Sequence, residues 1–220
     1  MKIYKSWIDE LKAEFKTELK RVKNVDLSRT LPAVLSRKEC NKLMNFYQNG
    51  KKYDERNYLA IRILYATGIR IGELSNIRFC DFNYDNQTIF IRQGKGKKDR
   101  YVIIDKDSLK LINKFKKKKN KILSDKLFNV EKRQLQNIVE RAGDKTGISE
   151  KYDGMNRRFS AHSLRHAFAT HSFENGMRIF ILKKILGHEY LGTTEIYVNT
   201  ASVLNLKEYN KTNPINPKKR

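Results

Sequence analysis

Helix start and stop signals between residues 160 and 200 constrain the fold of this chain more than any other feature of its sequence. Ser160 or Ser163 is suited to cap the N-terminus of a helix that ends at Gly176. A second helix over residues 178–186 has its apolar residues on one face, and the next glycine ends it. These signals predict short helices that carry polar side chains at their ends rather than in their middles.

Two histidines, an arginine and a tyrosine occupy these helix ends. His162 and Arg165 lie in the first turns of the first helix. His188 follows the end of the second, and Tyr197 lies in the first turns of a third short helix that a threonine caps. A helix N-terminus presents free N–H groups and partial positive charge, so an anion is favoured beside His162 and Arg165. We interpret the anion as a phosphodiester and Tyr197 as the group that attacks it.

The charge of the chain favours a polyanionic partner. Its 220 residues include 47 Lys and Arg against 24 Asp and Glu, which gives a formal net charge of +23. Nucleic acid is the simplest partner for such a surplus. A lysine-rich organism or a ribosome-like accessory protein would give the same charge, so charge alone leaves these alternatives open. A chain of this length is long enough for one sizeable domain with a hydrophobic core.

Membrane, secreted and metal-binding proteins are disfavoured by the sequence. No apolar run approaches the length of a membrane span, so we predict no membrane partner. The N-terminus has no signal-like apolar core, and we expect a cytoplasmic protein. Cys40 and Cys80 fit no zinc or disulfide spacing. His166 and His171 do not share a helix face, so we predict no metal site and a packing role for His171.

The remaining chain reads as helices around a small sheet. Helical spacing and capping signals predict helices over residues 3–22, 37–48, 54–66, 70–76, 107–119 and 131–142, the last stopped by Gly143. A period of two predicts strands over residues 79–82, 88–91 and 100–104, with a lysine-rich turn before the last strand. Residues 144–159 are predicted to be irregular.

Four motifs follow one another along the chain. They read ATGIRIGELSNIR, GKGKKDR, AHSLRHAFATH and LGHEYLGTTEIYVNTA. In this order they resemble the tyrosine recombinase family, which includes phage integrases and Xer-type proteins. The resemblance covers residues 30–200 as a catalytic domain and implies an α+β fold, mainly α, with a small three-stranded antiparallel sheet. Residues 1–29 would then be an N-terminal helix and linker, and residues 201–220 a C-terminal segment and basic tail.

Members of this family usually carry a larger helical DNA-binding domain before the catalytic domain. Residues 1–29 are interpreted either as a reduced form of that domain or as the end of a longer protein. The implied catalytic set is Arg70, Lys95, His162, Arg165, His188 and Tyr197, with Glu73 supporting the first arginine. The hairpin side chains predicted to bind DNA are Lys97, Lys98 and Arg100.

The resemblance implies strand cleavage through a covalent 3′-phosphotyrosine, without metal or high-energy cofactor. Guanidinium groups hold phosphate oxygens bidentately, which suits the two arginines of the set. A free tyrosine has a pKa of about 10, so Tyr197 needs a proton acceptor, and we assign His162 to that role. His188 would donate a hydrogen bond to the phosphate. Lys95 would protonate the departing 5′ oxygen, with the two neighbouring hairpin lysines as alternatives.

The leading prediction is a site-specific DNA recombinase or integrase that acts on double-stranded DNA and self-associates on it as a dimer or tetramer. A type IB-topoisomerase-like enzyme that relaxes DNA shares the chemistry and is the first alternative. A catalytically reduced DNA-binding accessory protein is the second. The segment after Tyr197 carries apolar residues that would dock either on a neighbouring subunit or on the core of its own chain.

Overall fold

The computed structural model describes residues 33–48, 54–92 and 99–187, together with residues 209, 210, 213 and 215. The chain divides into two compact units, Met1–Leu31 and Pro32–Arg220, and every described residue belongs to the second. The helix and linker predicted for the N-terminal region therefore lie outside the described residues, as does the short helix predicted to carry Tyr197.

Helices flank a single small sheet in the described part of the chain. Before the sheet come α1 (Arg37–Asn45), α2 (Asp54–Thr67) and α3 (Ile71–Leu74). The strands are β1 (Phe82–Asn83), β2 (Thr88–Ile91) and β3 (Arg100–Ile103). After it come α4 (Lys106–Lys118), α5 (Lys132–Lys145), α6 (Ile148–Asp153), α7 (Ala161–Glu174) and α8 (Ile179–Leu186). This architecture confirms the predicted fold class, and none of the described helices is long and apolar enough to cross a membrane.

The sheet is antiparallel, with β2 between β1 and β3. Ile89 pairs with Phe82 on one side and with Val102 on the other. Ile89 and Val102 are fully buried, so this face of the sheet packs on the core. On the opposite face the rings of Phe90 and Tyr101 lie 5.1 Å apart, an aromatic cross-strand pair that stabilises the register.

The strand predicted over residues 79–82 is wrong for most of its length. A 3-10 helix spans Phe79–Asp81, and only Phe82 of that range belongs to β1. The carboxylate of Asp81 accepts a hydrogen bond of 2.8 Å from the backbone N–H of Arg78, which closes a turn instead of leaving the chain extended. A side-chain cap of this kind competes with strand geometry and is not visible in a period-two pattern.

The centre of the domain is α2. Nine of its fourteen residues are buried, which explains why apolar residues occur on all of its sides. It packs against α1, α4 and α7. The chain leaves α2 after Thr67 and reaches Arg70 within three residues, so the first predicted catalytic arginine is placed directly by the most buried helix of the domain.

Two predictions in the segment before α7 are wrong. Gly143 does not stop α5, which continues to Lys145. A Cβ at Gly143 would lie 2.2 Å from Cε1 of Phe159, so the glycine is there to let this ring approach the helix backbone. Residues 144–159 are not wholly irregular either, because α6 lies within them and buries Ile148 and Tyr152.

Residues near the C-terminus pack on the core of their own chain. Tyr209 and Asn213 are fully buried. The Tyr209 hydroxyl donates a hydrogen bond of 2.7 Å to the carbonyl of Ala66, and the Asn213 amide donates one of 3.2 Å to the same oxygen. The apolar residues 203, 204 and 206, for which the sequence left two docking alternatives open, lie outside the described residues.

Candidate active site

The start of α7 agrees with the sequence analysis. The Ser160 hydroxyl accepts a hydrogen bond from the backbone N–H of His162, and the Ser163 hydroxyl accepts one from the N–H of Ser160. The two serines therefore cap the helix together, where the sequence left the choice between them open. This arrangement fixes His162 and Arg165 on the first two turns of α7.

Arg70 is held by Glu73 at the start of α3. The Glu73 carboxylate accepts a hydrogen bond of 2.8 Å from the backbone N–H of Arg70 and one of 3.2 Å from its guanidinium. The side chains of Arg70 and Glu73 are 24% and 8% exposed, so the pair is largely withdrawn from water. The common weak surface ion pair is thereby excluded as a description of this contact.

Arg100 is the second partner of Glu73. Its guanidinium donates two hydrogen bonds, Nη1 to Oε1 at 2.8 Å and Nη2 to Oε2 at 2.9 Å. Burial alone would raise the pKa of Glu73, but the hydrogen bonds from Arg100 and from the backbone of Arg70 outweigh it and hold the pKa below the ordinary value of 4.5. The Arg100 side chain is 14% exposed, an environment that differs from the one expected of the DNA-contacting side chain predicted above.

Arg165 lies in the interior between two turns of the chain. Its guanidinium donates hydrogen bonds of 2.6 Å to the carbonyls of Gly68, before α3, and Leu186, at the end of α8. Burial, and then the charge of Arg70, lower the pKa of Arg165 to about 10. The group therefore stays protonated near neutral pH, and its orientation is set before any ligand binds.

These contacts create a local excess of positive charge. Arg70, Arg100 and Arg165 bring three positive charges close together, and Glu73 supplies one negative charge, so two positive charges remain without a carboxylate. Such an excess in a partly buried site is suited to an anion. A phosphodiester, which gains negative charge on its non-bridging oxygens during transfer, fits this requirement.

His162 lies beside the arginines on an exposed part of α7. Loss of hydration, followed by the charges of Arg165 and Arg70, lowers its pKa below the ordinary value of 6.5. The ring is therefore mostly neutral at neutral pH, the state in which an imidazole accepts a proton. Lys132 at the start of α5 also contributes to this shift, and its side chain lies near Gly72.

Sequence reasoning did not single out Lys132 or the pairing of Arg100 with Glu73. An exposed lysine at a helix start is common, and a contact between residues in different elements leaves no local pattern. The only signal was the arginine that closes the GKGKKDR motif, which the sequence analysis assigned to DNA binding.

Several predicted site residues lie outside the part of the chain that the structure describes. They are Lys95, Lys97, Lys98, His188 and Tyr197. The structure describes the elements that flank the three lysines and the helix that precedes His188 in the sequence. β2 ends at Ile91 and β3 begins at Arg100 on either side of the lysine-rich hairpin, and α8 ends one residue before Gly187, which precedes His188.

His171 belongs to the core, as predicted. Its Nδ1 lies 2.8 Å from the Tyr65 hydroxyl, and the ring is 4% exposed. Burial, followed by the charge of Arg37, lowers the pKa of His171 to about 4, so it is neutral in the folded protein. Among the residues with described positions, no cluster of three or more His, Cys, Asp or Glu side chains is arranged to hold a metal ion.

Comparison with known proteins gives consistent matches. The sequence model of the phage integrase family matches residues 33–202. Tyrosine recombinase XerA of Pyrococcus horikoshii is 35% identical over 205 residues, which cover 89% of this chain and 68% of that protein. Tyrosine recombinase XerC of Corynebacterium glutamicum is 29% identical over 229 residues, which cover 97% of this chain and 70% of that protein.

Solved structures show the same architecture. The crystal structure of XerA recombinase matches with a TM-score of 0.61 and 29% identity, over 84% of this chain and 65% of that chain. XerH site-specific recombinase, bound to its difH substrate in a pre-cleavage complex, matches with a TM-score of 0.61 and 25% identity, over 83% of this chain and 56% of that chain. This chain thus spans about two thirds of the curated relatives and somewhat less of the solved ones.

Proposed function

The chain belongs to the phage integrase family of tyrosine recombinases, and on this premise we propose that it cleaves and rejoins double-stranded DNA at specific sites through a covalent 3′-phosphotyrosyl intermediate. The observation that carries the proposal is the grouping of Arg70, Arg165 and His162 around one partly buried site with excess positive charge.

The arginines are prepared for a phosphate before it arrives. Arg165 is oriented by two carbonyl oxygens, and Arg70 by the carboxylate of Glu73. Groups that are already oriented in the free protein lose little freedom when the substrate binds, and they stabilise the charge that develops in the transition state. This arrangement supports Arg70 and Arg165 as the pair that clamps the scissile phosphate.

The proposed reaction conserves the energy of the phosphodiester bond. The Tyr197 oxygen forms a bond to phosphorus and gives its proton to His162, while the bond from phosphorus to the 5′ oxygen breaks. Lys95 gives a proton to that departing oxygen, and His188 donates a hydrogen bond to a non-bridging oxygen. Attack by a different 5′-hydroxyl reverses the step and joins new strands, so cleavage leads to exchange rather than hydrolysis.

A nicked DNA substrate tests this proposal. When a nick lies close to the cleavage site, the short 5′ fragment diffuses away and the covalent protein–DNA adduct accumulates. We expect an adduct with the unchanged chain, visible by denaturing electrophoresis, and none with Tyr197→Phe. An adduct that persists in the Tyr197→Phe variant would refute Tyr197 as nucleophile, and no adduct at any site would refute the proposed activity.

Further assays of the unchanged chain distinguish the recombinase from the two alternative functions. Relaxation of a supercoiled plasmid that lacks a specific site would indicate the topoisomerase-like enzyme. Salt-sensitive DNA binding without any adduct would indicate the catalytically reduced accessory protein. Site-dependent adducts together with joined recombinant strands would indicate the recombinase.

Double-stranded DNA is the proposed partner, which the DNA substrate held by XerH supports. Exchange of strands between two duplexes needs a copy of the protein at each cleavage point, so we include self-association on DNA as a dimer or tetramer in the proposal. The relatives from Pyrococcus horikoshii and Corynebacterium glutamicum come from cells whose DNA lies in the cytoplasm, which supports the predicted cytoplasmic location.

A further inference from the structure

We propose that Arg100 is a positioning residue of the recombinase site, which keeps Arg70 available to the scissile phosphate and fixes the turn that leads into His188. The inference rests on the proposed function and deepens it. Arg100 would act through Glu73 and through the end of α8, and not by contact with the DNA.

The carboxylate of Glu73 is shared between two arginines. Arg100 makes two short guanidinium hydrogen bonds to the carboxylate, whereas the guanidinium of Arg70 makes one longer bond of 3.2 Å. A bidentate arginine–carboxylate pair is among the strongest contacts in proteins. Arg100 therefore neutralises most of the charge of Glu73 and leaves the Arg70 guanidinium free to turn its other N–H groups toward a phosphate.

Without Arg100, the carboxylate of Glu73 would bind Arg70 more tightly. A buried carboxylate without its main partner draws the nearest cation, and that cation is Arg70. Arg70 would then close on Glu73 with both of its terminal nitrogens and compete less well for the phosphate. Arg100 thus prevents the site from being occupied by an internal ion pair.

Arg100 also contacts the C-terminal end of α8. The last carbonyls of a helix have no partner within it. Here Arg100 Nε donates to the carbonyl of Ile185 at 3.4 Å, and Arg165 donates to that of Leu186 at 2.6 Å. Gly187 has φ 64°, and a Cβ on it would lie 3.1 Å from Arg100 Nε, so the guanidinium lies directly against this turn. The turn at the end of α8 is thus held by two arginines, and His188 is the next residue in the sequence.

Arg100 is the first residue of β3, and one residue, Asp99, separates it from the hairpin lysines in the sequence. One side chain thus connects the strand after the hairpin, the Glu73 that orients Arg70 and the turn before His188. A lysine could not replace it, because a single ammonium group reaches one carboxylate oxygen at a time and lacks the planar fork.

The test compares cleavage with binding in Arg100→Lys and Arg100→Gln. Adduct formation on the nicked substrate is followed in single turnover at saturating protein, and DNA affinity is measured separately with Tyr197→Phe as background. We expect both Arg100 variants to form adduct at least about tenfold more slowly at saturation, while the Kd for DNA changes by less than about threefold. A DNA-contacting arginine would show the opposite pattern, with weaker binding and a salt slope reduced by about one.

Two further variants separate positioning from loss of the fold. Arg92→Gln removes another ion-paired arginine, the partner of Asp81 in the turn that follows β2, and should leave the rate of adduct formation unchanged. Glu73→Gln combined with Arg100→Gln should be faster than Arg100→Gln alone, because removal of the negative charge releases Arg70. Thermal unfolding of each variant checks that it is folded.

The outcomes distinguish this inference from the function on which it rests. Adduct in the unchanged chain together with an unimpaired Arg100→Gln variant would overturn the positioning role alone. An equal loss in Arg92→Gln, or no recovery in the double variant, would also overturn it. Absence of adduct in the unchanged chain would overturn the proposed function, and the positioning role with it.

Discussion

Proton transfer in the candidate site depends on the charge state of one side chain, His162. Loss of hydration and the charges of Arg165 and Arg70 keep its pKa below 6.5. An imidazole accepts a proton only when neutral, so the cleavage rate should fall with decreasing pH only below that value. We expect the single-turnover rate on the nicked substrate to be level from pH 6.5 to about pH 8 and to decline toward about pH 5.

A matched variant identifies the group responsible. His162→Gln should react more slowly throughout and lose the decline at low pH. A wild-type rate that continued to climb by about tenfold per pH unit above 6.5 would contradict the assignment, since the essential base would then have a raised pKa.

The buried His171 makes a pH prediction for stability instead of activity. Its pKa is about 4 in the folded protein and 6.5 as an ordinary value, so the unfolded chain binds more protons between these limits. The free energy of unfolding should therefore fall as the pH falls from 6.5 to 4, by at most about 3–4 kcal/mol, because one pKa unit corresponds to about 1.4 kcal/mol.

Urea unfolding at a series of pH values measures this slope. His171→Gln keeps a polar partner for the Tyr65 hydroxyl and removes the titration. Between pH 4 and 6.5, the unfolding free energy of the variant should depend less steeply on pH, because unfolding takes up as much as one proton fewer. At lower pH the dependence comes from carboxylates, and the variant should retain it. Identical slopes in the two proteins would show that His171 is not the titrating group.

The starts of helices were predicted correctly where the capping residues are close in sequence. The capping box of Ser36 with Glu39 starts α1, and Ser160 starts α7, as the sequence indicates. The stop predicted at Gly143 failed because a partner distant in sequence decides the conformation there. Gly143 looks like a stop until the Phe159 ring is placed against it, because a close approach between elements leaves no mark on the local pattern.

The same limit applies to the candidate site. Capping and spacing placed His162, Arg165, Arg70 and Glu73 on short helices, and the structure brings these four together. The capping signals and the residue spacing did not show that Arg100 from β3 joins these four residues. That contact joins residues twenty-seven positions apart through tertiary packing, and only its chemistry, an arginine with a buried carboxylate, was available from the sequence.

Packing between α5 and the segment before α7 gives a prediction at this scale. Gly143→Ala places a methyl group 2.2 Å from the Phe159 ring and 2.6 Å from the Ser149 hydroxyl oxygen. Because the ring is buried, it has little room to move, and we expect a loss of about 1–3 kcal/mol in the free energy of unfolding.

Gly154→Ala is the matched control. This glycine has helical φ and ψ, and a Cβ there would meet only backbone oxygens at 3.5 and 3.6 Å. We expect it to be neutral or stabilising by up to about 1 kcal/mol, because alanine restricts the unfolded chain. Equal effects of the two substitutions in urea unfolding would show that contact with Phe159 does not explain Gly143.

The candidate active site is assembled from regions that are distant from one another in the chain. The turn after α2, the strand β3, the start of α7 and the end of α8 each contribute a side chain or a carbonyl to it. The same end of α2 also receives Tyr209, through its hydrogen bond to Ala66. The most buried helix therefore anchors both the turn that carries Arg70 and the C-terminal residues, so the geometry of the site depends on the integrity of the complete core.

The net charge of +23 should dominate the binding of the proposed DNA partner. Each phosphate neutralised by the protein releases a counterion, so affinity falls steeply with salt, and about six phosphate contacts reduce it by about a thousandfold between about 50 and about 200 mM. We expect at least this dependence for Tyr197→Phe, a variant that binds without cleavage, measured by fluorescence anisotropy. A change in Kd of less than about tenfold over that range would contradict a phosphate-dominated interface.

Two lysine variants test which part of this positive charge contacts DNA. Lys132 lies close enough to the candidate phosphate site to affect the pKa of His162, whereas Lys110 on α4 is paired with Asp107 in solvent. Lys132→Gln should reduce the slope of log Kd against log salt by about one, and Lys110→Gln should leave it unchanged, since only a lysine that contacts a phosphate contributes a released counterion. Equal slopes for both variants would mean that DNA does not approach the protein from the side of Arg70 and His162, and the path of the duplex over the domain would have to be placed elsewhere.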